Sequence, residues 1–217
     1  MPETTTMQAT RATRTPIARS PIRQRPPVAE QASWEVSRAS ATAPLRLADL
    51  TPLAKILIRA DPASAAAGVL ACEFGRSRRA ASGELVIGSG PGEWLLLAPA
   101  GTCSPLPAQL GPGGGELRTI IDVTHGRVVL RLTGADAART LEKLCAIDLS
   151  GKATPNRAAF RGSVARLACL VVRDDLDGIC SYLICSDRSS GQYLFDAIAD
   201  AGAEYSFEHD GYSDKEI

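Results

Sequence analysis

An α+β fold with two similar halves is the class that the sequence predicts, on three observations. From Leu45 onward, short apolar runs typical of strands alternate with helical patterns rich in Ala and Leu. Residues 57–72 (LIRADPASAAAGVLAC) resemble residues 130–145 (LRLTGADAARTLEKLC), each with a strand, a turn containing Asp and an Ala-rich helix that ends in Cys. The elements recur in the order β-α-β-β-α. We therefore expect tandem ferredoxin-like (β-α-β-β-α-β) halves, with antiparallel sheets and helices on one face.

The first half begins with a strand at 54–59 and continues into a helix. Asp61 is the predicted N-cap of this helix and Pro62 its first residue, where a missing N–H costs nothing. This helix should run to about Phe74. The remaining elements of the half are strands at 83–88 and 93–98, a helical turn at 106–110 and a strand at 118–123.

The second half repeats this order. Asp136 should lie in the first turn of a helix, because the positive end of the helix dipole favours an acidic side chain there. Asp187 is the predicted cap of the last helix, whose apolar face contains Leu194 and Ile198. The strands of this half are expected at 128–132, 165–172 and 179–185, the last two joined by a polar turn at 174–178.

These elements divide the chain into four parts. Residues 1–33 are rich in Pro, Arg, Ser and Thr and are expected to form a flexible arm that is disordered or wraps a partner. Residues 34–125 form the first ferredoxin-like half and residues 126–205 the second. Residues 206–217 are an acidic tail.

Composition indicates an ordinary globular chain. The 24 Lys and Arg residues balance 24 Asp and Glu residues, so no overall field attracts nucleic acid or an acidic membrane surface. No run of about 18 apolar residues is present, which excludes a membrane span. The six cysteines lack CxxC pairing and are expected to be buried thiols in a reducing cytoplasm, without a zinc site. They are Cys72, Cys103, Cys145, Cys169, Cys180 and Cys185.

The glycine-rich stretch GSGPGEW at 88–94 could form a phosphate cradle or could form the turn between two strands. A phosphate cradle needs a helix directly after the glycines, whereas Trp94 to Ala98 reads as a buried strand. We therefore expect a β-hairpin here, with Pro91 and the glycines supplying the turn. The second glycine run, at 111–115, lacks the Lys-Ser/Thr of a phosphate loop and should be a surface connector.

Few side chains could carry acid–base or nucleophilic chemistry. His125 lies in a bend with Asp122 three residues earlier. We expect a structural turn histidine held by the backbone, because no G-x-S-x-G nucleophile motif accompanies it. His209 should lie in the tail, away from packed elements. The acids of the turn between the last two strands should be fully solvated, with no calcium site; they are Asp174, Asp175 and Asp177.

Trp94 could either stack on a flat ligand or pack in the core. Its neighbours Leu95 to Leu97 on a central strand favour the core. The sequence thus predicts no catalytic, cofactor-binding or metal-binding residue in this chain.

Five short stretches, in matching order between residues 20 and 205, resemble the gamma subunit family of heterotetrameric sarcosine oxidase. They are Ser20-Pro21-Ile22, Gly90 to Leu96 (GPGEWLL), Ile121 to Thr124 (IDVT), Cys145 to Leu149 (CAIDL), and Arg188-Ser189 with Tyr193-Leu194. The stretches depart from the family's usual pattern at Gly92, where an acid is usual, and in IDVT, which replaces VDVS.

The resemblance implies a fold related to the glycine cleavage aminomethyltransferase and a cytoplasmic, non-catalytic subunit that docks on a large alpha subunit, with beta and delta subunits. It places FAD, FMN, NAD, zinc and tetrahydrofolate on those partners. The complex would oxidatively demethylate sarcosine or a related N-methyl amine to glycine, formaldehyde or methylene-tetrahydrofolate, and hydrogen peroxide. A free-standing folate-binding or one-carbon transfer protein, with Trp94 and Asp122 lining a pterin pocket, remains the alternative.

Overall fold

The computed structural model of the chain describes residues 16–102, 104–110 and 117–214, which contain fourteen strands and four α-helices. The strands are β1 Ala18–Arg19, β2 Val28–Gln31, β3 Trp34–Ser37, β4 Leu45–Asp49, β5 Ala54–Ala60, β6 Ser77–Arg79, β7 Leu85–Gly90, β8 Glu93–Ala98, β9 Arg118–Asp122, β10 Arg127–Thr133, β11 Ala159–Val164, β12 Leu167–Arg173, β13 Ser181–Asp187 and β14 Phe207–Asp210. The α-helices are α1 Ala65–Leu70, α2 Leu106–Gln109, α3 Ala137–Glu142 and α4 Gly191–Gly202.

The strands form three sheets in which antiparallel pairs dominate. The five-stranded sheet has the order β6-β7-β8-β5-β9, and the six-stranded sheet has the order β11-β12-β13-β10-β4-β14. A small sheet, β1-β3-β2, contains the N-terminal strands. Only the β1–β3 and β4–β14 pairs are parallel among the described strands. The predicted α+β class with antiparallel sheets is confirmed at this level.

The two large sheets pack face to face, and helices cover their outer faces. Leu85 and Leu97 of the five-stranded sheet share one apolar cluster with Val129 and Leu183 of the six-stranded sheet. Helices α1 and α2 cover the other face of the five-stranded sheet, around Ile58, Trp94 and other members of a second cluster. Helices α3 and α4 cover the six-stranded sheet in the same way. The four layers are therefore helix, sheet, sheet and helix.

The hairpin at the glycine-rich stretch is confirmed. Strands β7 and β8 pair in antiparallel register around it. Gly92 has φ +66°, and a Cβ added there would lie 2.5 Å from the carbonyl oxygen of Ala60. Glycine is therefore required for the turn to approach β5 this closely. The run at 111–115 lies outside the described residues.

Strand β4 enters the six-stranded sheet, although it precedes the whole of the five-stranded sheet in sequence. It pairs with β10 on one side and with β14 on the other. Residues 207–210 of the expected acidic tail are therefore a strand, and Tyr212 beyond it is buried. Residues 16–33 likewise include β1 and β2, with Ile22 buried.

Several local predictions are corrected by the structure. Helix α1 starts at Ala65, because the hydroxyl of Ser64 rather than Asp61 caps it by accepting from the N–H of Ala67 at 3.3 Å. It ends at Leu70, because Ala71 adopts a left-handed conformation. Asp187 does not cap α4, which follows a short 3-10 turn at 188–190. Strand β11, with its mixed AFRGSV pattern, was not predicted.

Candidate functional site

A buried charge cluster joins the two large sheets at one end of their interface. Asp174 is fully buried, and its Oδ2 accepts from Nη2 of Arg131 and from Nη2 of Arg79, both at 2.8 Å. Its Oδ1 lies 3.4 Å from Nη1 of Arg157. Arg131 comes from β10 and Arg79 from β6, so one carboxylate holds cations from both sheets. The prediction that Asp174 is fully solvated is therefore wrong, because its turn folds back onto these arginines.

A second polar link lies beside the glycine-rich hairpin. Arg161 on β11 donates from Nε to the carbonyl oxygen of Ser89 at 2.9 Å, and its guanidinium pairs with Glu93 on β8. Arg59 pairs with the same carboxylate at 2.7 Å. Burial alone would raise the pKa of Glu93, but hydrogen bonds from Arg59 and Ser89 and the charge of Arg161 hold this pKa below its ordinary value. Glu93 is thus an anion fixed between cations.

Next to the link between Arg161 and Glu93, the two sheets enclose an inter-sheet cleft of about 540 Å³. This volume is in the range of small-molecule sites. The first sheet contributes Leu57, Leu95 and Ser89 to the walls, and the second contributes Leu170 and Ala168 among others. Arg127, Arg161 and Asp187 also line it. The inter-sheet cleft therefore has apolar walls with two guanidinium groups and one carboxylate among them.

The two thiols that line the inter-sheet cleft are poor nucleophiles. Burial raises the pKa of Cys185 to about 11, and burial also raises the pKa of Cys169 above its ordinary value. Both groups are therefore neutral thiols near pH 7, and the thiolate is the reactive form of cysteine. The inter-sheet cleft is thus suited to binding rather than to covalent catalysis. The described cysteines are all free thiols, whereas Cys103 lies outside the described residues.

Lys55 is a buried cation that sequence analysis missed. Its Nζ donates to the carbonyl oxygens of Thr51 and Leu53, both at 2.7 Å, and its side chain is fully buried. Burial lowers its pKa to about 8. The strand pattern AKILIRA, with its single Lys, does not predict that this amine is buried, because its hydrogen-bond acceptors are backbone atoms just before the strand.

The residues weighed as catalytic candidates do not converge on one site. Trp94 is buried under the helices and donates from Nε1 to the carbonyl oxygen of Cys72 at 2.7 Å, so its predicted core role is confirmed. Asp122 is exposed on β9 and accepts from the N–H of Thr124 at 2.8 Å. His125 stacks on Trp34, with ring centroids 4.9 Å apart. None of these three side chains lines the inter-sheet cleft.

His209 is placed differently from its prediction. It lies on β14 and contacts the rings of Phe195 and Phe207 edge-on, at centroid distances of 4.7 and 5.0 Å. Burial, together with the nearby charge of Arg25, lowers its pKa to about 4. The expectation of a histidine away from packed elements is wrong, because β14 completes the six-stranded sheet.

The edge strand β9 exposes an unusual number of apolar side chains. Leu117, Ile120 and Ile121 are 90%, 40% and 46% exposed. Val123 N–H donates to the carbonyl oxygen of Lys55, which places the alternate residues Thr119, Ile121 and Val123 toward β5. The backbone groups of Arg118, Ile120 and Asp122 therefore point away from the sheet. No described strand pairs with this side of β9.

Within the described ranges, no group of three or more His, Cys, Asp or Glu side chains is arranged to hold a metal ion. None of the helices described is long and apolar enough to cross a membrane.

The sheets and helices form an α+β chain whose fold is similar to that of a solved aminomethyltransferase. The glycine cleavage system aminomethyltransferase T from Bartonella henselae matches with a TM-score of 0.63, covering 85% of this chain and 55% of that chain, at 17% identity. A sequence model of the sarcosine oxidase, gamma subunit family matches residues 58–204. The chain belongs to this sarcosine oxidase gamma subunit family.

Two curated relatives and one solved structure agree with the family. Sarcosine oxidase subunit gamma of Arthrobacter sp. is 30% identical over 172 residues, covering 75% of this chain and 82% of the relative. The same subunit of Corynebacterium sp. (strain P-1) is 27% identical over 207 residues, covering 91% and 98%. A heterotetrameric sarcosine oxidase from Corynebacterium sp. U-96, solved with pyrrole 2-carboxylate, contains a chain that matches with a TM-score of 0.65 and 27% identity. That match covers 77% of this chain and 88% of the other.

Proposed function

We propose that this chain is the non-catalytic structural gamma subunit of a sarcosine oxidase-type heterotetramer in the cytoplasm. The single observation that carries the proposal is the family match over residues 58–204. The complex oxidatively demethylates sarcosine or a related N-methyl amine to glycine, formaldehyde or methylene-tetrahydrofolate, and hydrogen peroxide. FAD, FMN, NAD, zinc and tetrahydrofolate are held by partner subunits, and this chain supplies no active site.

The strand orders support the finer fold prediction of ferredoxin-like halves. In the five-stranded sheet, β6 is an edge strand, and the other four strands lie in the order β7-β8-β5-β9, with α1 and α2 as the connecting helices. In the six-stranded sheet, β12, β13 and β10 lie in the same relative order as β7, β8 and β5. Strand β4 lies beside β10, in the position that β9 has beside β5. A strand from outside the second half therefore completes it, which ties the two halves into one unit.

The chemistry of the described side chains favours a structural role. The charged clusters around Asp174 and Glu93 pair cations with carboxylates across the sheets, which is a way to fix two sheets together. The thiols of the inter-sheet cleft are neutral near pH 7 because burial raises their pKa. For a folate-binding or one-carbon transfer protein, Trp94 and Asp122 would have to face a common pocket. The buried indole and the exposed edge-strand carboxylate argue against that alternative.

Strand β9 is the surface that we assign to the large alpha subunit. An open strand edge invites pairing with another chain, and natural proteins protect such edges unless a partner covers them. Here the edge carries Ile120 and Ile121 on opposite faces, both partly exposed. An extended apolar segment of the alpha subunit would pair with the outward backbone groups of Ile120 and Asp122 and cover the side chains of Ile120 and Ile121.

The test is assembly of the full complex from co-expressed subunits. Ile121→Asp places a charge on the proposed contact, whereas Ile179→Asp places the same charge on an equally exposed isoleucine of a distant turn. We expect Ile121→Asp to reduce the fraction of the chain that co-elutes with the large subunit at least tenfold, and Ile179→Asp to leave it unchanged. Equal assembly of both variants would refute β9 as the interface. Failure of the parent chain to bind any flavoprotein subunit would refute the subunit role itself.

A further inference from the structure

The inter-sheet cleft has the shape of a slot, and its shape restricts what can enter. Its two faces belong to different sheets, and packed sheets lie about 10 Å apart. Leu57 and Leu95 line one face and Leu170 and Ala168 the other. A flat apolar body, such as one or two aromatic rings, fits between such faces better than a branched or strongly hydrated one.

The two arginines at the margin of the cleft have more N–H donors than their described hydrogen bonds use. Arg127 uses Nη1 for Asp187, and Arg161 uses Nε for Ser89 and Nη2 for Glu93. The other guanidinium N–H groups of these two arginines make no hydrogen bond to the described residues. Their side chains are 40% and 58% exposed, and both residues line the cleft, so they form part of its solvent-accessible margin.

The charge balance around the opening favours an anion. Arg59 and Arg161 share the carboxylate of Glu93, and Arg127 pairs with Asp187. Of these groups, only Arg127, Arg161 and Asp187 line the cleft, so its walls carry two guanidinium groups and one carboxylate. The thiols in the cleft do not alter this balance, because they are neutral near pH 7. A guanidinium with free donors binds a carboxylate through two parallel hydrogen bonds.

We infer that the inter-sheet cleft is a binding site for a small monocarboxylate with a flat apolar body. Its rings lie between the two sheets, and its carboxylate lies at the opening against Arg127 and Arg161. The inference goes beyond the subunit role, and neither depends on the other.

The experiment uses biphenyl-4-carboxylate as the probe and biphenyl-4-carboxamide as its uncharged control. Binding to the full chain is measured by isothermal titration calorimetry. If the chain cannot be purified without its partners, the assembly is titrated instead. Binding of the probe to the partner subunits is then the same for every variant, so differences among variants report binding to this chain. We expect the carboxylate to bind the parent chain about tenfold more tightly than the amide, because only the carboxylate makes charge-assisted hydrogen bonds to arginine.

Three variants separate the cleft from other surfaces. Arg127→Gln should weaken the carboxylate about tenfold and leave the amide unchanged. Ala168→Phe, at an exposed position on the wall, should fill the slot and abolish binding of both probes. Arg139→Gln removes a 72%-exposed guanidinium on α3, away from the cleft, and should change neither affinity.

Several results would overturn the inference. They are equal affinity for the carboxylate and the amide in the parent chain, full affinity in Ala168→Phe, and no binding of the carboxylate at millimolar concentration. When the free chain is titrated, the parent comparison needs no variant, so a folding defect in Ala168→Phe or Arg127→Gln cannot hide a negative answer. Assembly with the large subunit is measured separately, and its failure leaves this binding result intact.

Discussion

Arg131 and Asp174 lie 43 positions apart in the sequence and are both fully buried, with Nη2 of Arg131 donating to Oδ2 of Asp174 at 2.8 Å. A second nitrogen of the same guanidinium donates to the carbonyl oxygen of Asp174 and to the hydroxyl of Ser181. Arg79, from the other large sheet, shares the carboxylate. This pair therefore fixes the turn after β12 to both sheets.

Removing the negative charge should destabilise the chain strongly. Asp174→Asn keeps the shape of the side chain but leaves the charge of Arg131 buried without its counter-charge, which costs about 3–5 kcal/mol. Asp177→Asn, at an exposed position of the same turn, should change the free energy of unfolding by less than about 0.5 kcal/mol. Urea denaturation measures both. Equal stability of the two variants would mean that the cluster does not hold the sheets together.

Trp94 should be a major contributor to the core. Trp94→Ala removes a buried indole between the five-stranded sheet and its helices and should cost about 3–5 kcal/mol of unfolding free energy. Trp94→Phe keeps much of the packing but leaves the carbonyl oxygen of Cys72 without its donor, so it should cost less, about 1–3 kcal/mol. Chemical unfolding ranks the two variants. A Trp94→Ala variant as stable as the parent chain would contradict the core role.

His209 should make the chain less stable as pH falls from about 6.5 toward 4. Burial lowers the pKa of folded His209 to about 4, whereas the unfolded side chain has a pKa near 6.5, so the unfolded state binds more protons between these values. Because the ring is only partly buried, we expect a loss of about 0.5–1 kcal/mol between pH 7.5 and 5.5.

His209→Gln should remove this part of the pH dependence. The range from pH 7.5 to 5.5 keeps the carboxylates ionised, so their titration contributes little. Urea midpoints of the parent chain and the variant at both pH values give the difference. An identical pH response would show that the imidazole between Phe195 and Phe207 takes up its proton freely in the folded state.

Lys55 should affect stability at alkaline pH, in a range separate from that of His209. Its folded pKa is about 8 and its unfolded pKa about 10.5, so the unfolded state binds more protons between these values and stability from this group rises with pH. The parent chain should gain about 1 kcal/mol relative to Lys55→Met between pH 7 and 9. Comparison with the variant removes the contribution of tyrosines and cysteines, which titrate in the same range. A constant difference between the two proteins would mean that the amine is not desolvated.

Local patterns allowed some elements to be predicted, and distant contacts explain the failures. The hairpin between β7 and β8 was predictable because glycines and Pro91 mark the turn between two apolar runs. Leu45–Asp49 gave no sign of joining the six-stranded sheet, since its partners in β10 and β14 lie far along the chain. Asp174 looked solvated because its turn is polar, while its buried partner Arg131 reads as one polar residue in an apolar strand.

The candidate site was less predictable than the fold. The inter-sheet cleft lies between two sheets, and its arginines, Arg127 and Arg161, belong to strands whose relative position no local pattern gives. The cap at Ser64 shows the same limit on a smaller scale. Asp61 and Ser64 are both good caps, and the structure uses Asp61 to accept from the N–H of Ala63 at 2.8 Å instead.

The most direct test of the central claim is native mass spectrometry of the full chain, tagged and purified from the cells that make it. A structural gamma subunit should be found in one assembly with a large flavoprotein subunit and two further chains, and amine oxidation should belong to that assembly. The released chain should be colourless and inactive. A chain that is purified without partners and oxidises sarcosine or another N-methyl amine by itself would contradict the account.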